Sequence, residues 1–312
     1  FSAGGAIWLA MWLFKVPWQE FEETIKSNIG DVTTAIVILF LIGAISGTWT
    51  VSGIVPTFIY YGVKIISPKV FLLTACIICA LVSVTIGSSW TTIATIGVAL
   101  LGIGKALGFS DGMIAGAIIS GAYFGDKISP LSDTTVLASS MSKVPMFDHI
   151  RYLMYTTVPS IVITLVIFTI LGFSHSGSDS SLINEYTSVL DSKFNITPWL
   201  LIVPALTAVM IARRMPALIV LALSTATAAI AAVIFQPDII REIGASIAGD
   251  GSNAKILFTG TIESIYNSVS IETGNPEVNQ LVASKGMLGM LNTVYLIICA
   301  MCFGAALKAS GM

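Results

Sequence analysis

The sequence predicts an all-α polytopic membrane protein with one re-entrant helical hairpin and one broken transmembrane helix. Its 312 residues include only 15 basic and 17 acidic side chains, about 10% of the chain, whereas a soluble globular protein has roughly 25%. Apolar residues make up 55% of the sequence, and the mean hydropathy is +0.91. The apolar runs are long enough for membrane helices, unlike the short alternating segments of a transmembrane barrel.

This composition excludes several classes of protein. So few charges would not keep a soluble enzyme or a disordered chain dispersed in water. A net charge of −2 provides no basic surface for nucleic acid. The apolar runs contain no nucleophile–histidine pair and no HExxH motif, so we expect a protein that is not an enzyme and needs no cofactor.

The first two spans flank an amphipathic segment. The sequence begins inside an apolar run that ends at Phe14, so we expect residues 1–312 to be one transmembrane domain cut from a longer protein. Residues 15–31 mix acidic, basic and aromatic side chains at helical spacing, which predicts an interfacial segment. The second span follows, from about Thr33 to Tyr61.

Residues 70–104 form two apolar stretches separated by an uncharged polar interruption, Ser88, Ser89, Trp90, Thr91 and Thr92. A loop at the membrane surface would usually contain a charge. We therefore expect a helical hairpin that turns inside the membrane, where exposed backbone is tolerated only against protein or a water-filled cavity. The alternative is that these hydroxyls bond to carbonyls of their own helix.

The next span, residues 112–142, contains ionisable side chains at its centre, and such groups are costly in a membrane and usually functional. Asp126, Lys127 and Asp133 are the only charges between Asp111 and Lys143. Pro130 cannot donate a backbone hydrogen bond to the carbonyl of Asp126. With the flexible Gly125 in front of it, Pro130 should break the helix and leave carbonyl oxygens near both carboxylates.

This stretch offers an all-oxygen ligand set, which hard cations such as Na⁺ prefer. The hydroxyls beside the two carboxylates are those of Ser129, Ser132, Thr134 and Thr135. A carboxylate also accepts protons, so Na⁺ and H⁺ would compete for the same oxygens at Asp126 and Asp133. Alternatively, Asp126 and Lys127 form a structural ion pair, and Asp133 caps the following helix.

The remaining candidates are weaker. Lys127 could modulate the site, as could Thr48 and Thr50 in the second span, and Pro56 should also free the carbonyl of Ser52. We expect residues 236–286 to form a long loop outside the membrane that contains a surface helix. The remaining spans are predicted at Tyr155–Phe173, Pro198–Ala212, Pro216–Phe235 and Met287–Leu307.

Several of these motifs resemble the NhaC family of Na⁺/H⁺ antiporters. The resemblance is most specific at residues 121–135, GAYFGDKISPLSDTT. It extends to Gly47-Thr-Trp-Thr with the following Ser52–Thr57, Gly87–Thr92, His149–Arg151 with Tyr155–Pro159, and Cys299–Gly304.

The resemblance implies a fold of the ion transporter superfamily, with inverted repeats that are incomplete here and commonly a homodimer. It also implies that Ser88–Thr92 is a hairpin tip that meets the broken helix. The expected activity is export of Na⁺ in exchange for H⁺ across the plasma membrane of a bacterium or archaeon. The alternatives are a Na⁺-coupled organic-anion exchanger of the malate/lactate type and a structural membrane protein that transports nothing.

Overall fold

The computed structural model describes residues 2–129, 132, 134–135, 138–139, 144–174, 180–213, 215–249 and 252–310. These residues are mostly helical, and their only strand-like pairing is a bridge between Val269 and Ser284. In chain order the helices are α1 (Ser2–Leu13), α2 (Trp18–Val51), α3 (Ile54–Ile65), α4 (Pro68–Ile86), α5 (Ser89–Ala106), α6 (Asp111–Ile128), α7 (Met146–Ser174), α8 (Ser180–Lys193), α9 (Ile202–Ala212), α10 (Ala217–Phe235), α11 (Pro237–Ala248), α12 (Asn253–Tyr266), α13 (Pro276–Leu281) and α14 (Leu291–Ser310).

The described residues confirm an all-α polytopic membrane protein. By length and composition, five helical segments could cross a membrane: Trp18–Val51, Ser89–Ala106, Met146–Ser174, Ala217–Phe235 and Leu288–Ser310. A sixth crossing is possible if one bent pair counts as a span. In that pair, Asn184–Lys193 meets Pro198–Ile211 at 92°.

Helices α4 and α5 form the hairpin that the sequence predicts. Gly87 ends α4 in the left-handed conformation, with φ of 72°, which glycine adopts without steric cost. The ring of Phe71, near the start of α4, stacks on Phe109 just after α5, with centroids 5.5 Å apart. The two arms therefore return to the same end of the molecule. How deep the turn lies in a membrane remains a prediction.

The hairpin packs on α6 through two glycines. A Cβ atom at Gly121 would overlap the carbonyl oxygen of Cys76, and one at Gly125 would overlap that of Ala80. The Ser83 hydroxyl, buried in this contact, donates to the carbonyl of Ala122 at 2.6 Å. This close backbone approach fixes the position of the hairpin tip relative to the end of α6.

A second group of helices surrounds α2, which packs against α10, α12 and α14. Here too, small residues let backbones approach, because a Cβ atom at Gly47 would overlap the carbonyl oxygen of Ser264 in α12. Residues 236–286, expected to be a long loop with a surface helix, contain α11, α12 and α13. Most residues of α12 are exposed or half-buried, and Gly260 and Ser264 are buried. The position of this segment outside the membrane remains a prediction.

Helix α2 differs from the expected arrangement at both ends. It runs without a break from Trp18 to Val51, so the amphipathic residues continue directly into the span, and their interfacial position remains a prediction. The span does not run unbroken to Tyr61. It breaks at Ser52 and Gly53, where Gly53 is left-handed with φ of 82°, and α3 begins at Ile54.

Candidate functional site

The hairpin tip is a compact turn held by hydroxyl groups. Ser88 caps α5, since its Oγ accepts a hydrogen bond from the N–H of Thr91 at 3.3 Å, as serine commonly does at this position. The Thr91 hydroxyl also donates to Ser88 Oγ at 3.1 Å. The Thr92 hydroxyl donates to the Ser88 carbonyl at 2.9 Å, the back-bonding that was the alternative for this side chain.

Helix α6 ends inside the predicted broken segment. Its last helical residue is Ile128, Ser129 is extended with ψ of 127°, and the chain is helical again at Thr134 and Thr135. The Thr135 hydroxyl lies 3.3 Å from the carbonyl oxygens of both Asp126 and Lys127. This side chain therefore compensates for the backbone bonds that are lost where the helix ends.

The second half of the segment also begins with a hydroxyl cap. Ser132 Oγ accepts a hydrogen bond from the N–H of Thr135 at 3.4 Å and lies 2.8 Å from the hydroxyl of Thr134. Ser132 therefore caps this half. The alternative interpretation, in which Asp133 is the cap, remains a prediction, because Asp133, like Pro130, lies outside the described residues. The bonded hydroxyls still have lone pairs that could bind a cation.

The hairpin tip and the end of α6 are in direct contact. Ser89 Oγ donates to Asp126 Oδ2 at 3.0 Å, and Ser129 Oγ donates to the Val84 carbonyl at 2.7 Å. Ser89 and Ser129 are almost completely buried, whereas Asp126 is partly exposed. The Asp126 carboxylate and the Ser89 hydroxyl could therefore act as a charged and a neutral oxygen ligand for a cation, since they are already in contact.

Asp126 opens into a cavity of about 520 Å³ between the two groups of helices. One wall carries the polar atoms of the hairpin tip and the broken segment, and the opposite wall is mainly apolar. The lining residues are Thr34, Ile38, Gly87, Ser88, Trp90, Thr91, Asp126, Ser132, Thr134, Ile211, Met215, Pro216, Ala217, Leu218 and Val220.

The electrostatics of this cavity favour a cation. Among the described lining residues, Asp126 is the only one with an ionisable side chain. It lies in the last turn of α6, where the helix dipole adds partial negative charge. The N-terminus of α5 at Ser89 has the opposite polarity and stabilises the carboxylate. Hydroxyl and carboxylate oxygens together suit Na⁺.

Not all predicted residues have the expected place. Gly125 is not the helix break, because α6 continues for three more residues and Gly125 instead permits close packing on α4. Lys127 is exposed and does not line the cavity. Thr48 and Thr50 are also absent from its lining. Their hydroxyls donate to carbonyls one turn back, to Ala44 at 2.9 Å and Ser46 at 2.7 Å.

Sequence reasoning did not predict the apolar wall of the cavity. This wall consists of Thr34 and Ile38 of α2 together with Ile211, Met215, Pro216, Ala217, Leu218 and Val220 of the α9–α10 region. The short turn before Pro216 is the only sequence signal near it. That signal indicates a tight connection between two helices, but it does not indicate which element faces them.

Comparison with known proteins gives a consistent picture. The family described as the Na⁺/H⁺ antiporter family matches residues 121–312. This match includes the end of α6 with Asp126, the broken segment, and helices α9 and α10 of the apolar wall, but not α2. No solved structure gave a significant match.

Three curated relatives cover nearly the whole chain. The malate-2H⁺/Na⁺-lactate antiporter of Bacillus subtilis is 39% identical over 95% of this chain and 60% of its own length. The Na⁺/H⁺ antiporter NhaC of Alkalihalophilus pseudofirmus is 38% identical over 96% of this chain and 61% of its own. The arginine/ornithine antiporter ArcD of Halobacterium salinarum is 32% identical over 95% and 58%. The chain therefore spans about 60% of the length of these relatives, all named as transporters.

Proposed function

The chain belongs to the Na⁺/H⁺ antiporter family, and on that premise we propose that it exchanges Na⁺ for protons across the plasma membrane of a bacterium or archaeon. The observation that carries the proposal is the position of the Asp126 carboxylate, at the contact between a hairpin tip and a helix end and open to a cavity. Its oxygens can bind either a dehydrated Na⁺ or a proton.

Exchange follows from this competition. When Na⁺ binds, Asp126 must be ionised, with Ser89 and the nearby hydroxyls as further oxygen ligands. When a proton binds, the carboxylate is neutral and has little affinity for Na⁺. Loading one ion on each side of the membrane then couples the two gradients. We propose that Asp133, outside the described residues, is the second carboxylate of the site, and that a homodimer in the lipid bilayer is the working unit.

The proposal is tested in proteoliposomes that contain the full-length protein and a preset pH gradient. A pulse of Na⁺ should dissipate the gradient, and Asp126→Asn and Asp133→Asn should each reduce the rate at least tenfold. Asp111→Asn is a matched control, because Asp111 is an exposed carboxylate at the other end of α6, paired with Lys105 at 3.2 Å. Wild-type exchange in both Asp126→Asn and Asp133→Asn would refute the assignment.

A second candidate is a Na⁺-coupled organic-anion exchanger of the malate/lactate type. The B. subtilis relative favours it, as does the size of the cavity, since pockets of 300–1,000 Å³ hold small organic molecules. The hydroxyls of the hairpin tip could donate to a substrate carboxylate. However, no described lining residue is cationic, so a dicarboxylate would need Na⁺ or other groups to offset Asp126. Competition of malate with labelled lactate uptake distinguishes this candidate.

The third possibility, a structural membrane protein without transport, predicts a continuous dry helix at this place. Helix α6 ends at Ile128 beside a cavity, which supports a transporter instead.

A further inference from the structure

The break between α2 and α3 contains a second group of buried oxygen atoms, separate from the cavity at Asp126. Pro56 has no N–H, so the carbonyl of Ser52 lacks the donor four residues later that a continuous helix would provide. Ser52 and Thr57 are completely buried. Thr57 donates its N–H to the Gly53 carbonyl at 2.9 Å, but its hydroxyl has no hydrogen-bond partner among the described residues.

A second unpartnered hydroxyl lies at the start of an element that packs against α3. Thr197 Oγ1 is also buried without a partner among the described residues. Thr197 directly precedes the short 3₁₀ helix Pro198–Leu201, which packs against α3. The side chain of Leu200 lies beside Gly53. Its Cδ1 atom is 3.2 Å from the position that a Cβ atom on Gly53 would take. Thr57 is one turn after Gly53, on the same face of α3.

The neighbouring polar groups do not satisfy these hydroxyls. Gln236 is nearly buried and also contacts Gly53. Its side-chain amide makes two hydrogen bonds to the backbone of Asn195. Gln236 Oε1 accepts from the N–H at 3.1 Å, and Gln236 Nε2 donates to the carbonyl at 3.1 Å. A buried hydroxyl without a partner costs about 1–3 kcal/mol, so one at the break and a second at the start of the element packed on α3 point to a ligand.

The chemistry of the break indicates which ligand. The orphan carbonyl and the two hydroxyls can all present lone pairs, and the C-terminal end of the 34-residue α2 adds partial negative charge. Unwound carbonyls at the end of a half-helix are typical ligands of Na⁺ in secondary transporters. None of these oxygens belongs to a carboxylate, which favours a monovalent over a divalent cation.

We propose that the α2–α3 break is a second site for a dehydrated monovalent cation, with Na⁺ bound by the Ser52 carbonyl, Thr57 Oγ1 and Thr197 Oγ1. This site does not depend on the exchange reaction at Asp126. Na⁺ bound here would stabilise the break. Na⁺ would then bind both the group of helices around α2 and the hairpin with α6.

The test measures the thermal unfolding midpoint of the purified full-length protein in NaCl and in choline chloride at equal ionic strength. The parent is Asp126→Asn/Asp133→Asn, which removes the carboxylates of the first site. Because a ligand that binds only the folded state stabilises it, we expect Na⁺ to raise the midpoint of this parent by about 2 °C. Thr57→Val and Thr197→Val, each added to this parent, should each abolish the rise in the midpoint.

A matched control separates a cation site from a general effect of valine. The buried Thr225 hydroxyl donates to the carbonyl of Leu221 in its own helix at 2.9 Å, so Thr225→Val should keep the Na⁺ response. In choline chloride, Thr57→Val should be at least as stable as the parent, because it removes an unpaired hydroxyl. If it does not fold, Thr197→Val decides.

Two outcomes would overturn the proposal. One is a parent whose midpoint is the same in Na⁺ and choline. The other is a Na⁺ response that persists in both threonine variants. Neither outcome affects the exchange assay at Asp126, so a failure here is distinguishable from a failure of the proposed function.

Discussion

The carboxylate of Asp126 connects two elements that are distant in sequence. Ser89 and Asp126 are 37 residues apart, yet their side chains are hydrogen-bonded at 3.0 Å. A hydroxyl that donates to a carboxylate stabilises its negative charge, and the same oxygen can bind Na⁺. In the proposed exchange, Ser89 would therefore influence how Na⁺ and H⁺ compete for Asp126, although the Ser89 side chain itself is uncharged.

Replacing Ser89 tests this role. Removing a hydrogen bond to a charged group costs about 1.5–3 kcal/mol, so Ser89→Ala should raise the Na⁺ concentration for half-maximal exchange about tenfold, with a smaller change in the maximal rate. The measurement is the Na⁺ dependence of exchange in proteoliposomes. Thr95→Val is the control, because the buried Thr95 hydroxyl donates to the Thr91 carbonyl at 2.8 Å and has no other partner among the described residues. An unchanged half-maximal concentration in Ser89→Ala would show that the bond is incidental.

At the scale of elements, the crossing of α4 and α6 holds the site together. Two glycines at a spacing of four residues bring the backbones into contact, as small residues do between membrane helices. The hydroxyls of Ser83 and Ser129 bridge the two helices on either side of Gly125. The hairpin tip and the end of α6 are therefore fixed relative to each other.

A methyl group at this crossing should separate the two helices. Gly125→Ala would place a Cβ atom on the Ala80 carbonyl oxygen, and overpacking of this kind costs about 1–3 kcal/mol. We expect a lower thermal midpoint together with weaker exchange. In the same helix, a Cβ atom at Gly112 would have no neighbouring atom within 4 Å. Gly112→Ala should therefore leave the thermal midpoint unchanged or raise it slightly. Equal midpoints in the two variants would contradict the packing argument.

The elements also show what sequence could predict. The uncharged interruption at Ser88–Thr92 predicted a turn by local backbone chemistry, and the chain turns at Gly87. Helix α6 ends at Ile128, close to the predicted break, while Pro130 itself lies outside the described residues. The role of Gly125 was misassigned, since a glycine permits either flexibility or close packing, and only the neighbouring helix decides between them. The apolar wall at Ile38 and Leu218 could not be predicted, because no local pattern specifies which helices face each other.

At the scale of the whole molecule, the cavity lies between two groups of helices. The hairpin and α6 supply the polar wall, and α2, α9 and α10 supply the apolar one. In our proposal the polar wall binds the ion, and the opposite wall is apolar except for Thr34. Access to Asp126 therefore depends on the space between the groups.

Filling this space should impede transport. Leu218→Trp would extend from α10 into the cavity, and we expect the maximal exchange rate to fall at least fivefold, since ions must pass the added ring. Leu223→Trp provides a control on the same helix. Leu223 is 42% exposed, so this position should tolerate the larger side chain. Similar rates in the two variants would indicate that this cavity is not the ion path.

Competition of Na⁺ and H⁺ for the carboxylate of Asp126 can be measured without a membrane. Na⁺ is added to the purified full-length protein in weakly buffered solution, and proton release is recorded with a pH-sensitive dye. We predict that Na⁺ releases protons from the wild-type protein, that choline does not, and that Asp126→Asn strongly reduces the release. Undiminished proton release from Asp126→Asn would contradict the claim.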